Sequence, residues 1–108
     1  MTHHADQVDA AVAEARARFE RGFHQSCDRL VTLLDRLGAG DMAARAQWIE
    51  VLHRMAGLGG SIGFAGVSTH ARELEDVLRD ATPGPVDLTA IRRLLDAVRQ
   101  AFDEDRPT

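Results

Sequence analysis

Apolar residues in this chain return every three or four positions and almost nowhere at alternate ones. From Val8 the series runs through Val12, Ala15, Phe19, Phe23, Cys27, Leu30, Leu34 and Leu37. That is the period of one face of an α-helix. The series reads either as one long helix or as two meeting near Gly22. Gly38-Ala39-Gly40 ends it, because glycine readily takes the left-handed conformation that closes helices. Asp41 is placed to cap the next helix, expected from about Met42 to Gly59. The stretch Gly59-Gly60-Ser61-Ile62-Gly63 weakens the end of that helix and turns the chain. A further helix is expected from about Ala65 to Ala81, carrying Val67, Ala71, Leu74, Val77 and Leu78 inward. Thr82-Pro83-Gly84-Pro85 is the strongest break in the sequence. Asp87 then caps a last helix with Leu88, Ile91, Leu94, Leu95, Val98 and Phe102 on one stripe.

Short connections between amphipathic helices favour antiparallel neighbours. The expected fold is therefore all-α: an antiparallel up-and-down four-helix bundle with an additional N-terminal helix or helical extension. Residues 8–102 form the bundle, 1–7 a flexible arm and 103–108 a flexible tail. Leu52, Met55, Ile62, Leu74, Leu78, Leu94 and Phe102 are expected to be buried together.

Bulk properties narrow the function. A chain of 108 residues with 44% hydrophobic content makes one globular domain with a real core. No apolar run approaches the roughly 18 residues of a membrane span, and no basic-then-apolar leader opens the chain. A cytoplasmic protein is expected. The single cysteine, Cys27, fits a reducing compartment and reads as a core thiol. A net charge of −4, no basic cluster, one Trp and no Tyr argue against a nucleic-acid partner.

The local feature that calls for explanation is His53. Residues three, four and seven ahead of it share its helix face, and these are Ala56, Gly57 and Gly60. Each glycine inside a helix costs about 1 kcal/mol relative to alanine. So bare a surface around one imidazole suits close approach by another protein, which makes Ala56, Gly57 and Gly60 a candidate docking surface. On a wheel of roughly 100° per residue, Trp48, Val51, Leu52, Leu58 and Ile62 fall within roughly 60° of Met55, the core stripe. His53 falls roughly 160° from Met55 and points outward. Glu50, one turn earlier, and Arg54 are candidate neighbours of the ring or of a group bound to it; Arg45 and Arg72 are further cations without a placement.

Glu50-Val51-Leu52-His53 also has the Glu-x-x-His spacing of di-metal four-helix proteins, but those sites need two such motifs pointing inward. One motif pointing outward predicts no metal. His3 and His4 read as tail residues, and His24 and His70 lack partners at ligand spacing.

His53-Arg54-Met55-Ala56-Gly57, followed by Gly63, resembles the signature of histidine-containing phosphotransfer (HPt) domains, His-x-hydrophobic-Lys-Gly with a second glycine six residues on. Phe19 to Leu37, the Gly40-Asp41 junction and Ala71-Arg72-Glu73-Leu74-Glu75 match that family's layout, so the resemblance spans about Phe19 to Phe102. It implies that His53 accepts a phosphoryl group from a receiver-domain aspartate and passes it to another receiver. The implied partners are response-regulator receiver domains, a hybrid histidine kinase, or both. The receiver would bring its own Mg²⁺, so the chain itself is expected to use no cofactor. There is no nucleotide-binding motif, so a phosphocarrier is expected rather than an ATP-dependent enzyme, and a monomer. One departure stands out: Ala56 occupies the family's lysine position, which removes a cation one turn from the ring. The alternative is therefore a catalytically silent adaptor or inhibitor that docks a kinase or receiver.

Overall fold

A computed structural model describes residues 3–81 and 84–106, with side chains from Gln7 onward. Five helices follow in order: α1 (His3–Thr32), a one-turn α2 (Leu34–Gly38), α3 (Met42–Ser61), α4 (Ala65–Asp80) and α5 (Leu88–Asp105). Among the described residues there is no strand. The apolar series from Val8 forms one helix that passes Gly22 without a break and is interrupted only at Leu33. Leu33 N–H is shared between the Arg29 and Leu30 carbonyls, and the chain then resumes as α2.

The ends of the helices follow the turn chemistry. Asp41 Oδ1 accepts from the Ala43 and Ala44 amides at 2.9 and 3.1 Å, while its Oδ2 accepts from Arg36 Nε at 2.9 Å. Asp87 Oδ1 accepts from the Thr89 and Ala90 amides. α4 has no cap of its own; Asp105, from the far end of α5, accepts the Val67 amide at 3.0 Å. Gly40 takes the left-handed conformation (φ 85°), and a Cβ there would lie 2.7 Å from the Gly84 backbone. Gly63 does the same (φ 94°) at the turn between α3 and α4.

These contacts also set the topology. Arg45 Nη1 near the start of α3 donates to the Ala81 carbonyl after α4, and Asp105 at the end of α5 meets the start of α4. Gly38 packs on Leu88, and Glu20 on α1 pairs with Arg106 beyond α5. Each neighbouring pair is thus antiparallel, and α1–α2, α3, α4 and α5 close a four-helix bundle. Trp48, Phe64, Phe102, Leu52, Leu74 and Leu78 are wholly buried in its core. At one end Phe23 stacks on Phe102 at 3.9 Å and Phe64 lies 5.6 Å from the same ring, so α1, α5 and the α3–α4 turn are joined by aromatic contact. Cys27 is buried on α1, and desolvation raises its thiol pKa against the opposing pull of Arg99.

α1 spans roughly 45 Å at 1.5 Å per residue and outruns the other helices, leaving Val8 and Val12 exposed. The extra N-terminal element is therefore an extension of the first bundle helix. α1 already includes residues 3–7 and α5 includes 103–105, because intrahelical hydrogen bonding continues past the last core contact at each end. Residues 1, 2, 107 and 108, Thr82 and Pro83, and the side chains of His3 and His4 lie outside the described residues.

Six core expectations need correction. Leu58 is 55% exposed and Val77 43%, while Val51, Ile62, Leu88 and Leu94 are only partly buried. On α3 the buried set is Ala44, Arg45, Trp48, Leu52, Met55, Ala56 and Gly59, centred roughly 40° from Met55 on the Ala56 side. That rotation turns Leu58 and Ile62 toward the rim. On α4 the buried set is Val67, Ser68, Ala71, Leu74, Glu75 and Leu78; it is centred near Ala71, which takes in Glu75 and leaves Val77, roughly 120° from Ala71, outside it. Leu94 sits at the edge of the α5 stripe, whose centre is Ile91, Leu95, Val98 and Phe102.

Candidate functional site

His53 stands in the middle of α3 with its side chain 73% exposed. Its ring is nonetheless held. Nδ1 lies 3.2 Å from Oε2 of Glu75, a buried carboxylate on α4. A carboxylate only accepts, so the bond places the proton on Nδ1 and leaves the lone pair of the neutral ring on Nε2. The same Glu75 oxygen accepts from Arg79 Nε, one turn further along α4, at 2.7 Å. A buried carboxylate is costly unless satisfied, and here one oxygen serves two donors from different helices.

Helical side chains lean toward the N-terminus of their own helix. Ala46, Ile49 and Glu50, one and two turns before His53, accordingly line a shallow recess with His53, Arg54 and Arg79. Glu50 does not reach the ring; it accepts from Arg54 Nη2 at 3.1 Å in an i,i+4 pair exposed on both sides. Arg54 borders the recess, Arg45 is used structurally at the Ala81 carbonyl, and Arg72 is exposed elsewhere on α4.

The three small residues beside His53 divide. A Cβ on Gly57 would meet nothing within 4 Å, so its side of α3 opens on solvent. Gly60 is exposed, but a Cβ there would stand 3.0 Å from Ser68 Oγ on α4. Ala56 is only 2% exposed and belongs to the core. Placing Ala56 on a docking surface is therefore wrong: at roughly 100° from Met55 it falls between the core stripe and His53, and α4 covers it. Sequence reading also missed Glu75 and Arg79. Their i,i+4 spacing is visible in the sequence, as is Glu75 falling roughly 40° from Ala71 on the wheel; that they meet His53 is not.

On the other flank, α1 and α3 leave an open groove of about 320 Å³, lined mainly by Ala15, Phe19, Gly22, Met55, Leu58 and Ile62, with Arg18, Arg29 and Arg54 at its rim. The remaining histidines have other contacts: His24 lies edge-on to Phe102, and His70 pairs with Glu73 at 3.4 Å. Among the described residues no three His, Cys, Asp or Glu side chains come together as a metal-holding group, and no helix is long and apolar enough to cross a membrane.

Neither a curated protein nor a solved structure matches this chain. The Hpt domain family matches residues 18–101, from the part of α1 that enters the bundle to the last turns of α5. Hpt domains are histidine phosphotransfer modules of phosphorelays, carriers that work with receiver domains and histidine kinases. With that match over most of its length on an all-α helical bundle, the chain belongs to the Hpt domain family.

Proposed function

We propose that His53 is the phosphoacceptor of this domain and that the chain carries a phosphoryl group between receiver-domain aspartates. The observation that carries this reading is the ring itself, held at Nδ1 by buried Glu75 with Nε2 outward on an exposed helix face. Nε2 of the neutral imidazole attacks the phosphorus of a receiver's phospho-aspartate. The acyl P–O bond breaks, the aspartate leaves as a carboxylate with the electron pair, and the Nε2–P bond forms. Nδ1 keeps its proton, so the phosphorylated ring is cationic and Glu75 balances it. The reverse step delivers the group to a second receiver. Mg²⁺ belongs to the receiver's acidic site, and this chain supplies the nucleophile and its orientation.

Gly57 leaves the space a receiver loop needs next to Nε2, and the apolar α1–α3 groove offers docking area on the adjoining flank. Ala56 in place of the family lysine favours one competing reading, an adaptor that docks without transfer.

Incubation with phosphorylated receivers from the source organism and Mg²⁺ tests both. Acid-labile, alkali-stable label is expected on the wild type and none on His53→Gln, with helicity and melting of the variant unchanged because the ring contributes little to the core. ATP alone is expected to give no label. Receivers that bind without transfer would establish the adaptor instead, and label persisting in His53→Gln would refute the assignment of the acceptor.

A further inference from the structure

We propose that Arg79, on α4, is the cation that positions a phosphoryl group on His53, in place of the cation that Ala56 cannot supply from α3. The inference rests on His53 being the acceptor. Three observations support it. Arg79 and His53 meet on a single oxygen of Glu75, Nε at 2.7 Å and Nδ1 at 3.2 Å, so a buried anchor fixes the guanidinium relative to the ring. Both side chains line the recess into which the ring leans. The Arg79 side chain is 52% exposed, whereas Ala56 is covered by α4.

A guanidinium carries five N–H donors, more than one carboxylate oxygen uses, and its planar fork matches phosphoryl oxygens. Charge balance assigns the parts. Phosphorylation at Nε2 with Nδ1–H retained makes the ring cationic, and that charge takes up the Glu75 carboxylate. The Arg79 charge is then available to the phosphoryl oxygens, with Nε still tethered. Arg54 borders the same recess, but its tether is the exposed Glu50, and an ion pair exposed on both sides holds little geometry. Arg79 is thus a positioning residue, and Arg54 serves as its internal control.

Phosphoramidate tests this without any receiver. Nε2 attacks its phosphorus, the P–N bond breaks, and the nitrogen leaves as ammonia with the electron pair. Labelling of Arg79→Gln is expected to slow about tenfold, the value of one charge-assisted hydrogen bond. Arg79→Lys is expected to recover much of the rate, and Arg54→Gln to stay near wild type. The ³¹P resonance of phospho-His53 should move in Arg79→Gln and hold in Arg54→Gln, a change that loss of packing alone does not produce. Melting of each variant separates rate from folding, with Arg79→Lys standing in should Arg79→Gln unfold by leaving Glu75 with His53 as its one remaining partner among the described residues. An unchanged rate and resonance in folded Arg79→Gln would overturn the proposal, as would slowing confined to Arg54→Gln. Wild-type-level label in His53→Gln would instead remove the acceptor assignment beneath it.

Discussion

The two flanks of α3 are built from opposite materials. Toward α4, Ala56 is buried and Gly60 leaves room for Ser68, so the helices approach closely enough for Glu75 to reach His53 across the seam. Toward α1, Ala15 and Gly22 face Leu58 and Ile62 with too little bulk to fill the space, and an apolar groove stays open. Small residues therefore do two jobs along the two flanks of α3. Where the neighbour can advance they tighten the seam and bring charged groups to the histidine. Where it cannot they leave surface for another molecule. Of the three small residues after His53, only Gly57 opens freely onto solvent.

In the core beside the tight seam, Leu74 is wholly buried on α4. Leu74→Ala is expected to cost about 2–5 kcal/mol in urea or thermal unfolding, because the cavity cannot collapse between packed helices. A loss well under 1 kcal/mol would mean that α4 is not close-packed against the core at this position. Ala56→Leu asks the same question by addition. Forcing bulk between α3 and α4 is expected to cost about 1–3 kcal/mol and to slow His53 labelling by moving Glu75 away. Full labelling in a destabilised Ala56→Leu would detach the seam from the chemistry.

On the open side the signs change. Gly57→Gln is expected to stabilise by up to about 1 kcal/mol, since the added side chain meets nothing and glycine is a poor helix former. Transfer from a receiver is expected to fall while phosphoramidate labelling, which needs no docking, is kept; equal loss of both would place the effect on the ring. Leu58→Ala on the groove wall is expected to stay within about 0.5 kcal/mol of wild type and to weaken receiver binding, read by titration calorimetry.

The smallest effect concerns the joint that ties α2 to the start of α3. The Ala44 amide foremost, then Arg36, hold the Asp41 carboxyl below its ordinary pKa. A lowered folded-state value means that this stabilisation is complete above the ordinary carboxylate range and is lost as pH falls through it toward the depressed value. The urea midpoints of wild type and Asp41→Asn should therefore differ near pH 6 and draw together as the pH is lowered below the ordinary aspartate pKa of about 3.9. A gap that stays constant over that span would show that the charge of Asp41 plays no part in the cap.

Periodicity and punctuation determined most of the fold. The i,i+3,i+4 spacing demanded helices, Gly40 and Gly63 supplied the left-handed turns, and Asp41 and Asp87 capped what followed them; all of these act within a few residues, so the sequence shows them directly. The outward placement of His53 was legible for the same reason. Which way each stripe finally rotates was not, because that depends on the bulk of the neighbouring helix. Leu58 and Val77 were drawn inward by their apolar character and helical spacing, while the packed bundle left both exposed and buried Ala56 and Glu75. Glu75 and Arg79 lie 22 and 26 positions beyond His53 in the sequence. Only the antiparallel return of α4 at close range lays them against the ring, since a long-range contact has no local signal: it exists once two faces have met.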